Sequence, residues 1–205
     1  CHEGWTLRLE EAVNVPITMA GMAPFMIANA LAACGAAFAG GVDVELIRQG
    51  LRSFVPSENQ TPGRMNLFNL GRNHALVDYA HNPAGYEAVG GFVRNWQGDR
   101  LGVVGGPGDR RDEDLILLGS LSAQMFNYII VKEDYDRRGR ELGEVAELII
   151  KGIIAENPEA KYETILDETV AINTGLDIVK EGGLVVVFPE KVASAIAVIK
   201  QREPK

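Results

Sequence analysis

From residue 75 to the end of the chain, short apolar runs alternate with helical patterns, and few folds accommodate that. The runs are 75–79, 101–104, 128–131, 162–166 and 184–188; the helical stretches are 84–96, 111–126, 141–155, 168–180 and 190–200. Regular alternation of strand and helix predicts an α/β fold, a Rossmann-like, mostly parallel sheet with helices on both faces. One further strand, 64–70, meets 75–79 across Gly71-Arg72-Asn73 and predicts a hairpin that adds an antiparallel strand. The helices have the faces such a sheet needs. Tyr86, Val89, Val93 and Trp96 share one side, as do Leu115, Leu118, Leu121 and Met125, and Val145, Leu148, Ile149 and Gly152. Asp112, Glu113 and Asp114 fall in the first turn of their helix, where the dipole favours acids.

Upstream of residue 64 the pattern differs. Residues 5–9 alternate like a short strand, and Pro16 closes that region. Residues 22–39 read as an Ala-rich helix with Gly35 inside, its small side chains implying close, buried packing; 44–51 read as a second helix with Asp43 as N-cap. The stretch 56–63, Pro-Ser-Glu-Asn-Gln-Thr-Pro-Gly, is turn-rich and reads as a linker, which divides the chain into 1–56 and 57–205. With 205 residues, 46% apolar and 23% charged, the chain has the composition of a soluble globular protein. Its formal net charge of −8, without a Lys/Arg-rich block, argues against nucleic acid as a partner. No apolar run approaches the roughly 20 residues that span a bilayer. Two cysteines, Cys1 and Cys34, make no disulfide framework and fit a reducing cytoplasm; Cys34, in an apolar helical run, is expected to be buried. The first residue is Cys rather than Met, so the chain reads as a piece of something longer.

Three turns after strands carry chemistry, and in open α/β sheets the carboxyl ends of strands are where ligands bind. The first is Asp78-Tyr79-Ala80-His81-Asn82-Pro83, in which His81 can act as a base or orient a ligand, or simply hold the turn by hydrogen bonds. The second is Gly105-Gly106-Pro107-Gly108-Asp109-Arg110-Arg111, where glycines admit a ligand close to the backbone and a helix N-terminus and arginines favour anions; a tight surface turn is the plain alternative. The third, residues 132–140, carries Glu133, Asp134 and Asp136, which suit a cationic substrate or else a solvated loop. No Gly-Lys-Ser/Thr triplet occurs, so the chain has no P-loop. His2 and His74 lie outside these turns, and no His/Cys cluster suggests a metal site. Asn29, a polar residue in an Ala-rich helix, needs a partner in backbone or ligand.

These residues resemble a family. Gly63-Arg64, then Asp78-Tyr79-Ala80-His81-Asn82-Pro83, then Gly108-Asp109-Arg110 resemble the C-terminal domain of the Mur ligases and folylpolyglutamate synthetases, and Asn29-Ala30-Leu31-Ala32-Ala33 resembles the helix that closes their central ATPase domain. The longer strings around Gly105–Asp114, Val131-Lys132-Glu133-Asp134 and Phe188-Pro189-Glu190-Lys191 are similar to the branch that joins arginine to the side-chain carboxylates of poly-aspartate.

The resemblance implies an ATP-dependent amide ligase working through an acyl phosphate, with ATP and Mg2+ held mainly by an upstream domain. It implies a lid domain at 57–205 preceded by the tail of the central domain at 1–56. Poly-aspartate, arginine and the rest of the ligase chain are the implied partners, in a homo-oligomer, and the chain by itself is expected to be inactive. Carried over residue by residue, Asn29, Arg64 and Asp78 would contact the nucleotide and His81 would be catalytic. Asn82, Asp109, Arg110, Glu133, Asp134 and Asp136 would contact substrate. Two departures matter. Phe25-Met26 stand where relatives often have His-Asn, and Tyr135-Asp136-Arg137 stands where ligases adding diaminopimelate or lysine have an Asn-Pro-Arg-like turn. The acids at 133–136 suit a guanidinium instead, which leaves another amine substrate, or a lid without catalysis, as the alternatives.

Overall fold

The structure is a computed structural model that describes Gly4 and residues 6–204. It consists of two compact units, one ending at Pro56 and the other beginning at Ser57.

In the first unit, α1 (Pro24–Ala39) packs on α2 (Val44–Ser53), after two short 3-10 turns, Ala12–Asn14 and Pro16–Thr18. Pro24 opens α1 at a position where its missing N–H costs nothing. Asp43 caps α2 by accepting the Glu45 N–H at 2.8 Å. Two expectations fail here. Of the predicted 5–9 strand, Trp5 lies outside the described residues, as do Cys1 and His2, and Thr6–Leu9 form no strand. The Arg48 guanidinium binds the carbonyls of Arg8 (2.9 Å) and Leu9 (3.1 Å), so a side chain takes the acceptors a neighbouring strand would have used. Nor is α1 a buried helix. Only Met26 and Cys34 are buried in it, α2 and the Pro16–Thr18 turn covering just part of its surface, and Leu31 is 63% exposed. Burial pushes the Cys34 thiol pKa up.

The second unit is a six-stranded sheet. Its strands are β1 (Asn66–Asn69), β2 (His74–Val77), β3 (Arg100–Val104), β4 (Tyr128–Val131), β5 (Tyr162–Thr164) and β6 (Leu184–Val187), in the spatial order β1-β2-β6-β3-β4-β5. β1 and β2 form the expected antiparallel hairpin; every other pairing is parallel. The helices are α3 (Pro83–Val93), α4 (Asp112–Met125), α5 (Glu144–Glu156), α6 (Glu168–Ile178) and α7 (Val192–Lys200). Steps β2→β3→β4→β5 run in one direction, so right-handed crossovers put α3, α4 and α5 on one face. The return from β5 to β6 runs the other way and puts α6 on the opposite face, with α7 beside it. There Val77, Val103, Ile130, Val185 and Val187 pack on Ile172, Leu176, Ile196 and Ile199. On the first face α4 and α5 touch backbone to backbone. A Cβ on Gly152 would lie 1.8 Å from the Ile116 carbonyl oxygen, and one on Gly119 would lie 1.9 Å from that of Ile149.

The register sets the working edge. Val77 pairs with Val187, Val103 with Val187, and Val104 with Val131, so β2, β6, β3 and β4 all end at the same level.

Candidate active site

β6 is inserted between β2 and β3, and the chain leaves β6 for one face of the sheet (α7) but leaves its two neighbours for the other (α3 and α4). That reversal opens a crevice beyond the strand ends. Four turns line the resulting cleft: Tyr79, Ala80 and His81 after β2; Gly105, Gly106 and Pro107 after β3; Asp134, Asp136 and Arg138 after β4; Phe188, Pro189 and Glu190 after β6. Tyr86 supports its floor. Its buried hydroxyl donates to the Gly105 carbonyl at 2.8 Å and its ring stacks on Phe188 at 4.0 Å, and burial drives the phenol pKa strongly up.

The β2 turn is built around Asp78, which is buried. Its Oδ2 accepts the Met65 N–H at 3.0 Å and its Oδ1 the Ala80 N–H at 2.9 Å. Burial raises its pKa, against the two backbone N–H groups and nearby Arg64, which lower it. Asp78 therefore fastens the segment before β1 to its own turn. Asn66 does the same from the other side. Its Oδ1 accepts the Gly63 N–H at 2.7 Å, and its Nδ2 donates to the Thr61 carbonyl at 3.0 Å. This leaves Arg64 exposed, its guanidinium 5.8 Å from the centre of the Tyr79 ring. His81 holds its Nδ1 2.9 Å from the Tyr79 carbonyl, a pairing that puts the proton on Nδ1 and leaves Nε2 as an acceptor. Asn82 is the N-cap of α3, accepting the Gly85 N–H at 2.8 Å.

The β3 and β4 turns are in backbone contact. A Cβ on Gly108 would fall 2.0 Å from the Arg137 carbonyl oxygen. Arg140 fastens them together, donating to the carbonyls of Gly108 (2.7 Å) and Arg110 (2.8 Å) and to the carboxylates of Asp112 (2.7 Å) and Glu144 (2.6 Å). Asp109 pairs with Arg138 at 2.5 Å, and that guanidinium holds its carboxyl below the usual range. Arg110 is half-buried and leaves its Nε buried without a hydrogen-bond partner among the described residues.

The three acids of the β4 turn, equivalent in the sequence, take different positions. Asp134 and Asp136 line the cleft. Glu133 does not. It is buried, and its two oxygens accept the Gly143 (3.0 Å) and Ala146 (3.1 Å) N–H groups, which caps α5. The sequence reading also missed Glu190, whose carboxylate accepts the N–H groups of Tyr135 (2.7 Å) and Asp136 (3.3 Å) from the far side of the cleft. The only prior signal for it was its place in the Phe188-Pro189-Glu190-Lys191 string. In the other unit Asn29 is exposed on α1, its amide 3.7 Å from the Met26 sulfur. Among the described residues no group of three or more His, Cys, Asp or Glu could hold a metal, and no helix is long and apolar enough to cross a membrane.

A doubly wound sheet with these turns at its switch point defines a class. The family model for the Mur ligase, glutamate ligase domain, matches residues 63–191, and the chain belongs to that family. Within it, the chain is 72% identical over 200 residues to cyanophycin synthetase of Synechocystis sp., a match covering 98% of the chain and 23% of that relative. It is 36% identical over 138 residues to the UDP-N-acetylmuramoyl-L-alanyl-D-glutamate–2,6-diaminopimelate ligase of Corynebacterium efficiens, covering 66% of the chain and 25% of that protein. The structure of E. coli FolC in complex with DHPP and ADP shares the fold, with a TM-score of 0.66 at 22% identity over 85% of this chain and 39% of that one. The chain thus spans under a quarter of the length of the cyanophycin synthetase it matches.

Proposed function

We propose that this chain is the lid, with the tail of the central ATP-binding domain, of an ATP-dependent amide ligase that joins arginine to the side-chain carboxylates of poly-aspartate, the activity of a cyanophycin synthetase. The observation that carries the reading is the meeting of Asp134 and Asp136 with His81 and the Gly105-Gly106-Pro107 turn in one cleft. The exposed apolar residues of the first unit, Leu31 and Leu46 among them, suit a surface that packs on the rest of a central domain.

In the proposed reaction ATP phosphorylates an aspartate side-chain carboxylate to an acyl phosphate. The arginine amine then attacks the carbonyl carbon, the carbon–oxygen bond to phosphate breaks, phosphate departs with the electron pair, and the amine loses a proton. Asp134 and Asp136 hold the guanidinium, whose planar fork two carboxylates can grip. His81, with Nδ1 engaged by Tyr79, has Nε2 available to take the amine proton. Exposed Arg64 suits a nucleotide phosphate and Asp78 the ribose beside it, and Asn29, in the first unit, is proposed separately as an adenine contact; the ADP-bound FolC structure that shares the fold supports an adenine nucleotide. Asp109, Arg110 and Asn82 are proposed to contact the acceptor chain. We assign Mg2+, with most of the ATP contacts, to the rest of the ligase. A homo-oligomer in a reducing cytoplasm completes the proposal; the buried thiol of Cys34 fits such a compartment.

The test is ATP-dependent incorporation of labelled arginine or lysine into a poly-aspartate primer by the full-length ligase. Arginine incorporation well above lysine is expected. Preference for another amine, or no incorporation by folded, ATP-binding enzyme, would overturn the reading.

A further inference from the structure

Beneath the cleft lies a charge that the proposed chemistry does not use. Lys132, the first residue after β4, is 1% exposed. Its Nζ lies 2.6 Å from Asp134 Oδ1 and 2.8 Å from Glu168 Oε2. Its stem runs under the glycine turn, where a Cβ on Gly105 would come within 2.8 Å of Lys132 Cε. Glu168 carries the connection onward, accepting the Glu190 N–H at 2.6 Å, and the Glu190 carboxylate accepts the N–H groups of Tyr135 and Asp136. The contacts therefore close a ring: Lys132 to Asp134, along the turn to Asp136, across to Glu190, down to Glu168 and back to Lys132. The ring joins the β4 turn, the first turn of α6 and the β6 turn.

A buried ammonium is costly to desolvate, and hydrophobic residues of like volume often replace such clusters without loss of stability. Burial by itself lowers the Lys132 pKa, but the Asp134 and Glu168 carboxylates outweigh it and the net shift is upward, so the cation persists. Its contacts reach both acids of the β4 turn that line the cleft, one directly and one through Glu168 and Glu190.

We infer that Lys132 and Glu168 are positioning residues for the amine substrate: the buried ion pair fixes Asp134 and, through Glu190, Asp136 in the geometry that grips a guanidinium. This rests on the reading of the β4 turn as the amine pocket. The pair touches no reacting atom, and the turns that would meet the nucleotide lie outside the ring. Disturbing it should therefore weaken arginine binding while sparing ATP.

The experiment uses the full-length ligase and measures arginine and ATP Michaelis constants separately for Lys132→Met, Glu168→Gln, Asp134→Asn and Asp136→Asn. Glu168→Gln keeps an acceptor for the Glu190 N–H and removes only the charge facing Lys132, so it decides the matter if Lys132→Met does not fold. The expected result is an arginine KM raised about 10-fold, the loss of roughly one charge-assisted bond, with the ATP KM within about twofold of wild type. If the Asp134 and Asp136 variants raise the arginine KM but Glu168→Gln and any folded Lys132→Met do not, or move both constants in parallel, the ring is structural and the inference is wrong. If the aspartate variants also leave the arginine KM unchanged, the amine-pocket reading fails and this inference falls with it.

Discussion

Replacing Glu133 with Gln separates a helix cap from a substrate ligand. Glu133 reaches the N-terminus of α5 from ten residues away, and it does so because the N-cap residue there is Gly143, which has no side chain to contribute. Its oxygens accept the Gly143 and Ala146 N–H groups at 3.0 and 3.1 Å, within a site that leaves the side chain 5% exposed. A carboxamide offers one acceptor oxygen. The other position becomes an NH2 facing a buried N–H, which forfeits one charge-assisted bond, roughly 1.5–3 kcal/mol. Removing the negative charge from the positive end of the helix adds about 0.3–1 kcal/mol. The sum, roughly 2–4 kcal/mol, corresponds to a fall in Tm of about 4–16 °C for a unit of roughly 150 residues. Thermal unfolding of the 205-residue chain followed by circular dichroism measures it directly. In the full-length ligase the same change should shift arginine and ATP constants together or not at all. A midpoint within about 1 °C of wild type, with a selective rise in the arginine constant, would refute the assignment of Glu133 to the helix.

Gly152→Ala places a methyl 1.8 Å from the Ile116 carbonyl oxygen, so the α4–α5 contact must open. The gain in helix propensity, about 1 kcal/mol, does not offset it, and chemical denaturation should show a net loss of about 2 kcal/mol or more. Gly35→Ala in α1 meets nothing within 4 Å and should instead stabilise its own unit by about 0.5–1 kcal/mol, read by the same method. The lowered pKa of Asp109 comes from Arg138, so its stabilising contribution is present above the ordinary carboxylate range and is lost as pH falls through the lowered value. In Arg138→Ala an NMR titration should find the Asp109 carboxyl moved up toward the ordinary aspartate range; an unchanged midpoint would break the ion pair assignment.

The elements were legible where periodicity is strong. The alternation from residue 75 onward predicted β2 to α7 within a few residues, and the Gly71-Arg72-Asn73 turn predicted the β1–β2 hairpin. The insertion of β6 between β2 and β3 was not legible, because parallel strands are ordered by contacts distant in sequence and Leu184–Val187 is simply one more apolar run. The same limit applies at the site. Nothing in Lys132-Glu133-Asp134 says that Lys132 and Glu133 turn into the protein while Asp134 faces the cleft; that division depends on α5 and α6, whose N-termini supply Gly143, Ala146 and Glu168 as partners. Likewise the alanines of α1 predicted burial, yet only Met26 and Cys34 of that helix are buried. Composition reports that a helix can pack closely without saying on how many sides.

The central claim is that the turn after β4 receives arginine, and steady-state kinetics of the full-length ligase carrying Asp136→Asn test it most directly. Asp136 lines the cleft and is 70% exposed, so its substitution leaves the fold intact. The account predicts an arginine KM raised about 10-fold or more at an unchanged ATP KM, the loss of one charge-assisted bond to the guanidinium. An arginine KM equal to that of the wild type, with the variant folded and ATP binding intact, would contradict it.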